Sequence, residues 1–131
     1  MLSIVIPAFN EENIIQKTID DIYNWSKTNS IDIELVVINN NSTDQTEQIC
    51  KNNLIKYKNF KYQNEEKKGK GFAVKRGLAS SSYNKILILD ADLSVSVDQF
   101  NPKWLGYENI CISGSRFKGK VIGTPARRNL T

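Results

Sequence analysis

Asp90 and Asp92 stand two residues apart, directly after the apolar run ILIL, in the stretch ILILDADLS. Residues i and i+2 at a strand end project to the same side. Two carboxylates side by side repel unless a cation lies between or beside them. Hard oxygen donors at this spacing suit Mg2+ or Mn2+, with substrate phosphates completing the coordination shell. Acidic pairs are also common on solvated surfaces, and the apolar run just before this one is what favours the chemical reading. Other apolar runs end in polar turns of the same kind: PAFNEE follows the first, NNNSTD the second and GSR the last. In an open parallel α/β sheet, ligands bind outside the carboxyl ends of the strands, so these turns form the candidate site.

Several other chemistries are excluded. The chain has no histidine, which removes imidazole acid–base catalysis, Ser-His and Cys-His nucleophiles and His-ligated zinc. Its two cysteines, Cys50 and Cys111, form no CxxC pair, so neither a zinc cluster nor a redox motif is available. Both are expected to be buried thiols in a reducing compartment. The first strand is not followed by GxGxxG, and KKGKGF lacks the spacing of a P-loop, so neither of those nucleotide sites is expected.

The elements that must position these residues follow from periodicity. With 131 residues, 40% of them hydrophobic and 24% charged, the chain suits one soluble domain over 1–131. No apolar run approaches the ~18 residues needed to cross a bilayer. Apolar runs at Leu2–Ile6, Ile33–Ile38, a weaker Phe60–Tyr62, Ile86–Leu89 and Ile110–Ser113 recur at the spacing of βαβ units, which predicts an α/β fold. VVI and ILIL are continuously apolar, as strands buried on both faces are. Asn10 is a candidate N-cap for a helix over Glu11–Thr28, with Ile15, Ile19 and Ile22 on its core face. Ser42 and Gln45 have the spacing of a capping box that opens a second helix carrying Ile49. A third helix is expected after Gly71, through Ala73, Gly77 and Leu78. Ser96 with Gln99 opens a short helix that Pro102 disturbs.

The net charge of +4 is unevenly spread. Residues 1–50 carry 2 basic and 8 acidic side chains, residues 51–85 carry 10 and 2, and residues 86–131 carry 6 and 4. The lysine-rich middle can face ligand phosphates, an anionic membrane or nucleic acid, or be a solvated exterior. No stacking aromatic pattern accompanies the lysines, so nucleic acid is not an expected partner, and a basic nucleic-acid-binding module is a remote alternative. The opening MLSIVIPAFN has no basic n-region and meets Pro7 at once, which reads as a cytoplasmic start.

IVIPAFNEE, VVI with NNNSTD, KGKGFAVKRG, LILDADLS and ISGSRFKGK occur in the order found in family 2 glycosyltransferases. Over about Ser3–Arg128 the chain most resembles the dolichyl-phosphate mannose and glucose synthases. The resemblance implies a GT-A fold, a mostly parallel sheet with helices on both faces, binding a nucleotide-diphospho-sugar such as a UDP- or GDP-sugar with Mg2+ or Mn2+. It implies inverting transfer of the sugar to a polyprenyl phosphate, by a chain that is cytoplasmic or peripheral on the cytoplasmic face of a membrane. By the same resemblance, Pro7, Phe9 and Glu11 line the nucleotide pocket, with Phe9 keeping the stacking face of the family's usual Tyr. Ile38 and Asn40 approach the base. Asp90, Ala91 and Asp92 form the metal and diphosphate site, with Asp92 the more direct ligand. Arg116 meets donor phosphate and joins Asp92 in the catalytic assignment. Lys67, Lys68 and Lys70 fall near the same edge, and Arg127 and Arg128 match a basic stretch leading toward the membrane-facing part, a plain solvated pair being the other reading.

Two departures stand out. Where the family has two aspartates this chain has Asn39 and Asn40, so a hydrogen bond from the base to Asn40 loses its charge assistance. Drift in an Asn-rich composition explains this as well as adaptation does. In the family the chain also continues beyond the basic stretch, so the sequence reads as the donor half, lacking most of the acceptor side. A truncated or split form that binds donor without turnover is the alternative to an active transferase, with a partner chain as one source of the remainder. The absence of histidine is compatible with transfer, because a phosphate acceptor with a second pKa of about 6 is mostly ionised at neutral pH.

Overall fold

The computed structural model describes residues 1–108 and, beyond them, the backbone of two strands at 111–115 and 120–124. The chain forms two compact units, Met1–Val97 and Asp98–Thr131. The first runs β1 (Leu2–Ala8), α1 (Ile15–Asn29), β2 (Ile33–Asn39), α2 (Thr46–Lys56), β3 (Phe60–Asn64), α3 (Lys70–Ser80) and β4 (Ile86–Ile88). All four strands are parallel, in the order β3-β2-β1-β4.

That order places the helices. The chain steps from β1 to β2 to β3 in one direction and then crosses back over two strands to β4. Right-handed crossovers therefore put α1 and α2 on one face and α3 on the other. Ile15, Ile19 and Ile22 of α1 are fully buried, as the Ile stripe predicts. On the opposite face Ala73 of α3 packs with Val5, Val36 and Ile38. Here α3 lies unusually close to the sheet: a Cβ on Gly77 would stand 2.3 Å from a Val5 methyl. Only glycine permits that approach.

β2, flanked by β1 and β3, is buried along its whole length, as the run VVI predicts. The run ILIL behaves differently. β4 ends the four-stranded sheet, and Ile86 and Ile88 are 38% and 43% exposed. Continuous apolarity here marks an end strand. Its ladder with β1 covers only Ser3–Val5 against Ile86–Ile88, closed by the Leu89 N–H on the Val5 carbonyl at 3.0 Å. By strand alternation the next donor would be residue 7, which is Pro7 and has no N–H. The chain is thus released from the sheet just before Asp90.

A buried acid secures the other end of β4. Ser3 Oγ donates to Glu34 Oε1 at 2.7 Å, Lys61 pairs with Oε2 at 3.0 Å, and the Ser82 N–H also donates to this carboxylate. Burial pushes the Glu34 carboxyl up, but the bonds from Ser82, Ser3 and Lys61 outweigh it and hold it below its ordinary 4.5. The stability this acid adds is present above the unfolded value and is lost as pH falls through the lower folded one. Glu34→Gln should therefore be less stable than the parent at pH 7, with the gap closing below about pH 4 in urea titrations, given an unfolded Glu pKa of about 4.3.

Two expected caps serve another purpose. α1 begins at Ile15 and α2 at Thr46, with no side-chain cap on either. Asn10, in the left-handed region at φ 49°, accepts from the Thr43 N–H at 2.8 Å, while its own N–H donates to Ser42 Oγ at 3.0 Å. The Glu11 N–H donates to Thr46 Oγ1 at 2.8 Å, and the Gln45 N–H donates to Glu12 at 3.0 Å. The polar groups read as caps bind the two loops to each other. The third helix starts at Lys70, two residues earlier than expected.

Beyond β4, the piece expected as a short helix is a 3₁₀ turn at Val97–Gln99. Pro102 opens a second 3₁₀ turn, Pro102–Gly106, capped by Asn101 accepting from the Lys103 N–H at 3.0 Å. The last expected strand, seen as β5 (Cys111–Ser115), pairs antiparallel with β6 (Lys120–Thr124) in a separate two-stranded sheet. A connection of this length can join only antiparallel strands, because a parallel crossover needs a dozen residues or more.

Candidate functional site

The strand order reverses between β1 and β4, and such a switch point opens a crevice at the carboxyl ends of the two strands. Phe9, Asn10 and Glu11 leave β1 there, and Asp90, Ala91 and Asp92 leave β4. The first unit therefore brings together most of the residues expected at a site. Phe9 is 57% exposed, a large apolar ring standing among polar loops. Pro7 is half-buried within β1.

The acidic turn is tightly built. The Leu93 N–H bonds the Asp90 carbonyl at 3.0 Å, with Leu93 at φ 47°, a left-handed conformation that costs a branched residue about 1–2 kcal/mol. The Ser94 N–H donates to Asp92 Oδ1 at 3.0 Å, and Ser94 Oγ lies 3.4 Å from Asp90 Oδ2. Thr18 Oγ1 of α1 donates to the Ala91 carbonyl at 2.5 Å. Because β4 ends at Ile88, strand alternation is not what groups the two aspartates: the turn around Ser94 does that. Backbone strain held by surrounding bonds beside candidate ligands is an arrangement that recurs at functional sites.

The field in the crevice is negative. Burial, and after it the charges of Asp92, Asp44 and Asp90, hold the Glu11 carboxyl above its ordinary value. Such a field favours the entry of a cation. Among the described residues no group of three or more His, Cys, Asp or Glu forms a ready-made metal cage. Asp90 and Asp92 instead make a two-carboxylate set, which is what Mg2+ uses when substrate phosphates and water supply the other ligands. The donor set thus fits the divalent ion that the sequence implies.

Some expected contacts are not met. The Ile38 side chain is 0% exposed in the α3 core cluster and presents no surface to a base. Ala91 is buried and its carbonyl already accepts from Thr18. Asn40 is 8% exposed, and its amide is turned to the loop before α3. Its Nδ2 donates to the carbonyls of Glu65 at 3.1 Å and Lys67 at 2.8 Å, while Oδ1 accepts from the Gly69 N–H at 2.9 Å. Asn41 adds bonds from its Nδ2 to the Glu65 and Glu66 carbonyls, and Asn39 donates to Asn64 Oδ1 at 3.0 Å. The asparagine run thus fastens β2 to the β3–α3 loop. Arg116, Arg127 and Arg128 lie outside the described residues. Of the thiols, Cys50 is buried, which pushes it up to about 12, and the Cys111 side chain is outside the described set.

Of the three lysines expected near this edge, one is seen on the acidic turn. Lys70, the first residue of α3, sets its ammonium on Asp90 Oδ1. KGKG marks the lysine as near a helix start, but only the crossover from β3 back to β4 supplies its partner. Gly69 just before it adopts φ 131°, open to glycine alone. Lys67 sits over the Phe72 ring at 5.5 Å.

Comparison with known proteins agrees with this layout. Residues 3–122 match the family described as Glycosyl transferase family 2. The chain is 33% identical over 105 residues to the dolichyl-phosphate beta-glucosyltransferase ALG5A of Trichomonas vaginalis, covering 76% of this chain and 32% of that protein. It spans about a third of the length of such curated relatives. Among solved structures it is similar to glucosyl-3-phosphoglycerate synthase of Mycobacterium tuberculosis in complex with Mn2+, UDP and phosphoglyceric acid. That match has a TM-score of 0.67 at 27% identity, over 91% of this chain and 44% of the other. The mannosyltransferase PcManGT of Pyrobaculum calidifontis, in complex with GDP-Man and Mn2+, shares the fold at a TM-score of 0.69 and 23% identity, over 86% of this chain and 34% of the other. The chain belongs to glycosyl transferase family 2, and its parallel sheet with helices on both faces is the GT-A fold.

Proposed function

We propose that this chain carries the donor site of a metal-dependent, inverting glycosyltransferase that moves a sugar from a nucleotide-diphospho-sugar to a polyprenyl phosphate. The observation that carries the reading is the loop cluster at the carboxyl ends of β1 and β4, where the strand order reverses. It holds an exposed aromatic ring, a two-carboxylate turn and a lysine. Phe9 offers a face on which a base can stack. Asp90 and Asp92 would hold the divalent ion, which when bound neutralises charge growing on the departing diphosphate. Lys70 adds a cation on the same side, and Arg116 is proposed to add another. Orientation and electrostatic stabilisation are then the protein's main contributions, since an ionised phosphate acceptor needs no general base.

The acceptor class is supported by relatives named as dolichyl-phosphate glucosyltransferases. Among the described residues no helix is long and apolar enough to cross a membrane. Donor binding without transfer by this chain alone is the second reading, compatible with the third of its relatives' length that it spans.

Thermal unfolding with UDP, GDP or ADP, with and without Mn2+, tests the donor site. A ligand at 100 times its Kd adds about 2.7 kcal/mol, or roughly 10 °C or more for a domain of about 100 residues. At least one nucleotide should raise Tm in a metal-dependent way, and Asp92→Ala should abolish that dependence. A flat response to all three nucleotides overturns the reading. Transfer of labelled sugar to polyprenyl phosphate separates the enzyme from the binder.

A further inference from the structure

The Lys70 ammonium sits on Asp90 Oδ1, one of the carboxylate oxygens that a divalent ion on this turn would use. Three features fix the backbone of this lysine. Lys70 begins α3, so its backbone is fixed by the helix. Gly69 takes a conformation that aims the chain, and the Gly69 N–H is pinned by Asn40 Oδ1 at 2.9 Å. The close approach of α3 at Gly77 sets the helix against β1, the strand beside β4. The fold thus fixes the backbone of Lys70 beside the acidic turn, and its exposed side chain reaches Asp90 from there. A monovalent ammonium and a divalent ion cannot share one carboxylate oxygen without strong repulsion.

We propose that Lys70 is a tethered counter-ion for Asp90: it neutralises the acidic turn while the donor is absent, and it yields Asp90 to the divalent ion when the donor arrives. The released ammonium then faces the diphosphate that enters with the ion. Free metal must compete with a resident cation, whereas metal arriving with a diphosphate offers the lysine a new anionic partner. Metal and nucleotide consequently bind with positive coupling, and each strengthens the other by the same factor. This inference rests on the donor-site reading above and adds an order of events to it.

The test is Mn2+ binding without nucleotide, followed by electron paramagnetic resonance of the free ion and by calorimetry on the full chain. Lys70→Met should bind free Mn2+ about threefold to tenfold more tightly than the parent, a range suited to removing one partly exposed opposing charge. With Mn2+ saturating, the same variant should bind nucleoside diphosphate more weakly, so the coupling factor falls in proportion. Lys70→Arg keeps the charge and should stay close to the parent in both measurements. Because Lys70 is exposed, Tm without ligands should change little in either variant, which controls for folding. If the parent binds Mn2+ and nucleotide but Lys70→Met binds free Mn2+ no more tightly, the counter-ion role is overturned and the donor site stands. If the parent binds neither, both fall.

Discussion

Replacing Asn40 with aspartate lowers Tm by about 10 °C or more at neutral pH, although the two side chains are nearly identical in shape. The Nδ2 group of Asn40 donates to two backbone carbonyls, of Glu65 and Lys67, in a position only 8% exposed. A carboxylate has no proton to give. Both carbonyls lose their donor and then face a negative oxygen, while the bond from the Gly69 N–H survives. A buried group left unsatisfied costs about 1–3 kcal/mol, and more when charge is involved. Each kcal/mol corresponds to about 4–8 °C in a domain of this size.

The sign with pH follows. Burial against carbonyls raises the folded pKa of the introduced carboxyl above its unfolded value of about 3.9. The deficit is therefore smallest below the unfolded value and grows as pH rises through the folded one. Melting curves from pH 4 to 8 for the parent, Asn40→Asp and Asn40→Ala measure this. Asn40→Ala loses the donors without adding charge, so its deficit should not depend on pH. An aspartate variant as stable as the parent at pH 7 would show that the amide does not fasten the loop. The expected loss has an evolutionary edge, since aspartate is the residue that the family resemblance leads one to expect at this position. The neighbouring loop of this chain suits the amide.

The second large effect is at Gly77. Alanine favours a helix over glycine by up to about 1 kcal/mol, and in an open position it should stabilise. At Gly77, however, the new methyl would lie 2.3 Å from Val5 Cγ1, 3.3 Å from Val5 Cγ2 and 3.4 Å from Ile38 Cγ1. Val5 is fully buried on a strand paired on both sides, and its branched side chain has little rotamer freedom. The helix has to move instead. Overpacking of this kind costs about 1–3 kcal/mol, which outweighs the propensity gain. The start of α3 moves with it, so nucleotide affinity should fall as well. Gly71→Ala is the control: nothing lies within 4 Å of its Cβ position, so it should be neutral or slightly stabilising. Urea midpoints at constant m-value separate the two, and equal midpoints would contradict the close-approach argument.

Much of the architecture is legible in the residues, and the reasons it stops being so are physical. Apolar runs locate the first four strands because burial is dictated by the side chains themselves. The same runs do not say which strand lies at an end, as Ile86 and Ile88 demonstrate. Asn10, Ser42 and Gln45 satisfy the local rules for helix caps, yet their partners lie 32 or 33 residues away, and no local rule sees those. The two aspartates of the candidate site are evident from type and spacing. Lys70 is visible as one charge in a run, but its partner is supplied by the crossover from β3 to β4. Asn40 fits a base-reading role by position and resemblance, and the folded chain commits its amide to the loop instead. Local chemistry is readable, and long-range pairing is not.

The short ladder between β1 and β4 has a kinetic meaning. The bonds that secure the acidic turn and its strand close long loops: Tyr83 to Ser3 spans 80 residues and Ala91 to Thr18 spans 73. Contacts of such separation form late, after β1 to β3 and their helices have assembled through nearer neighbours. An end strand held by three residue pairs is also the segment whose amides should exchange with solvent first, without global unfolding. Within the first unit the acidic turn should therefore form after β1–β3 and open before them, and a bound donor should register as slowed hydrogen exchange along Ile86–Asp92.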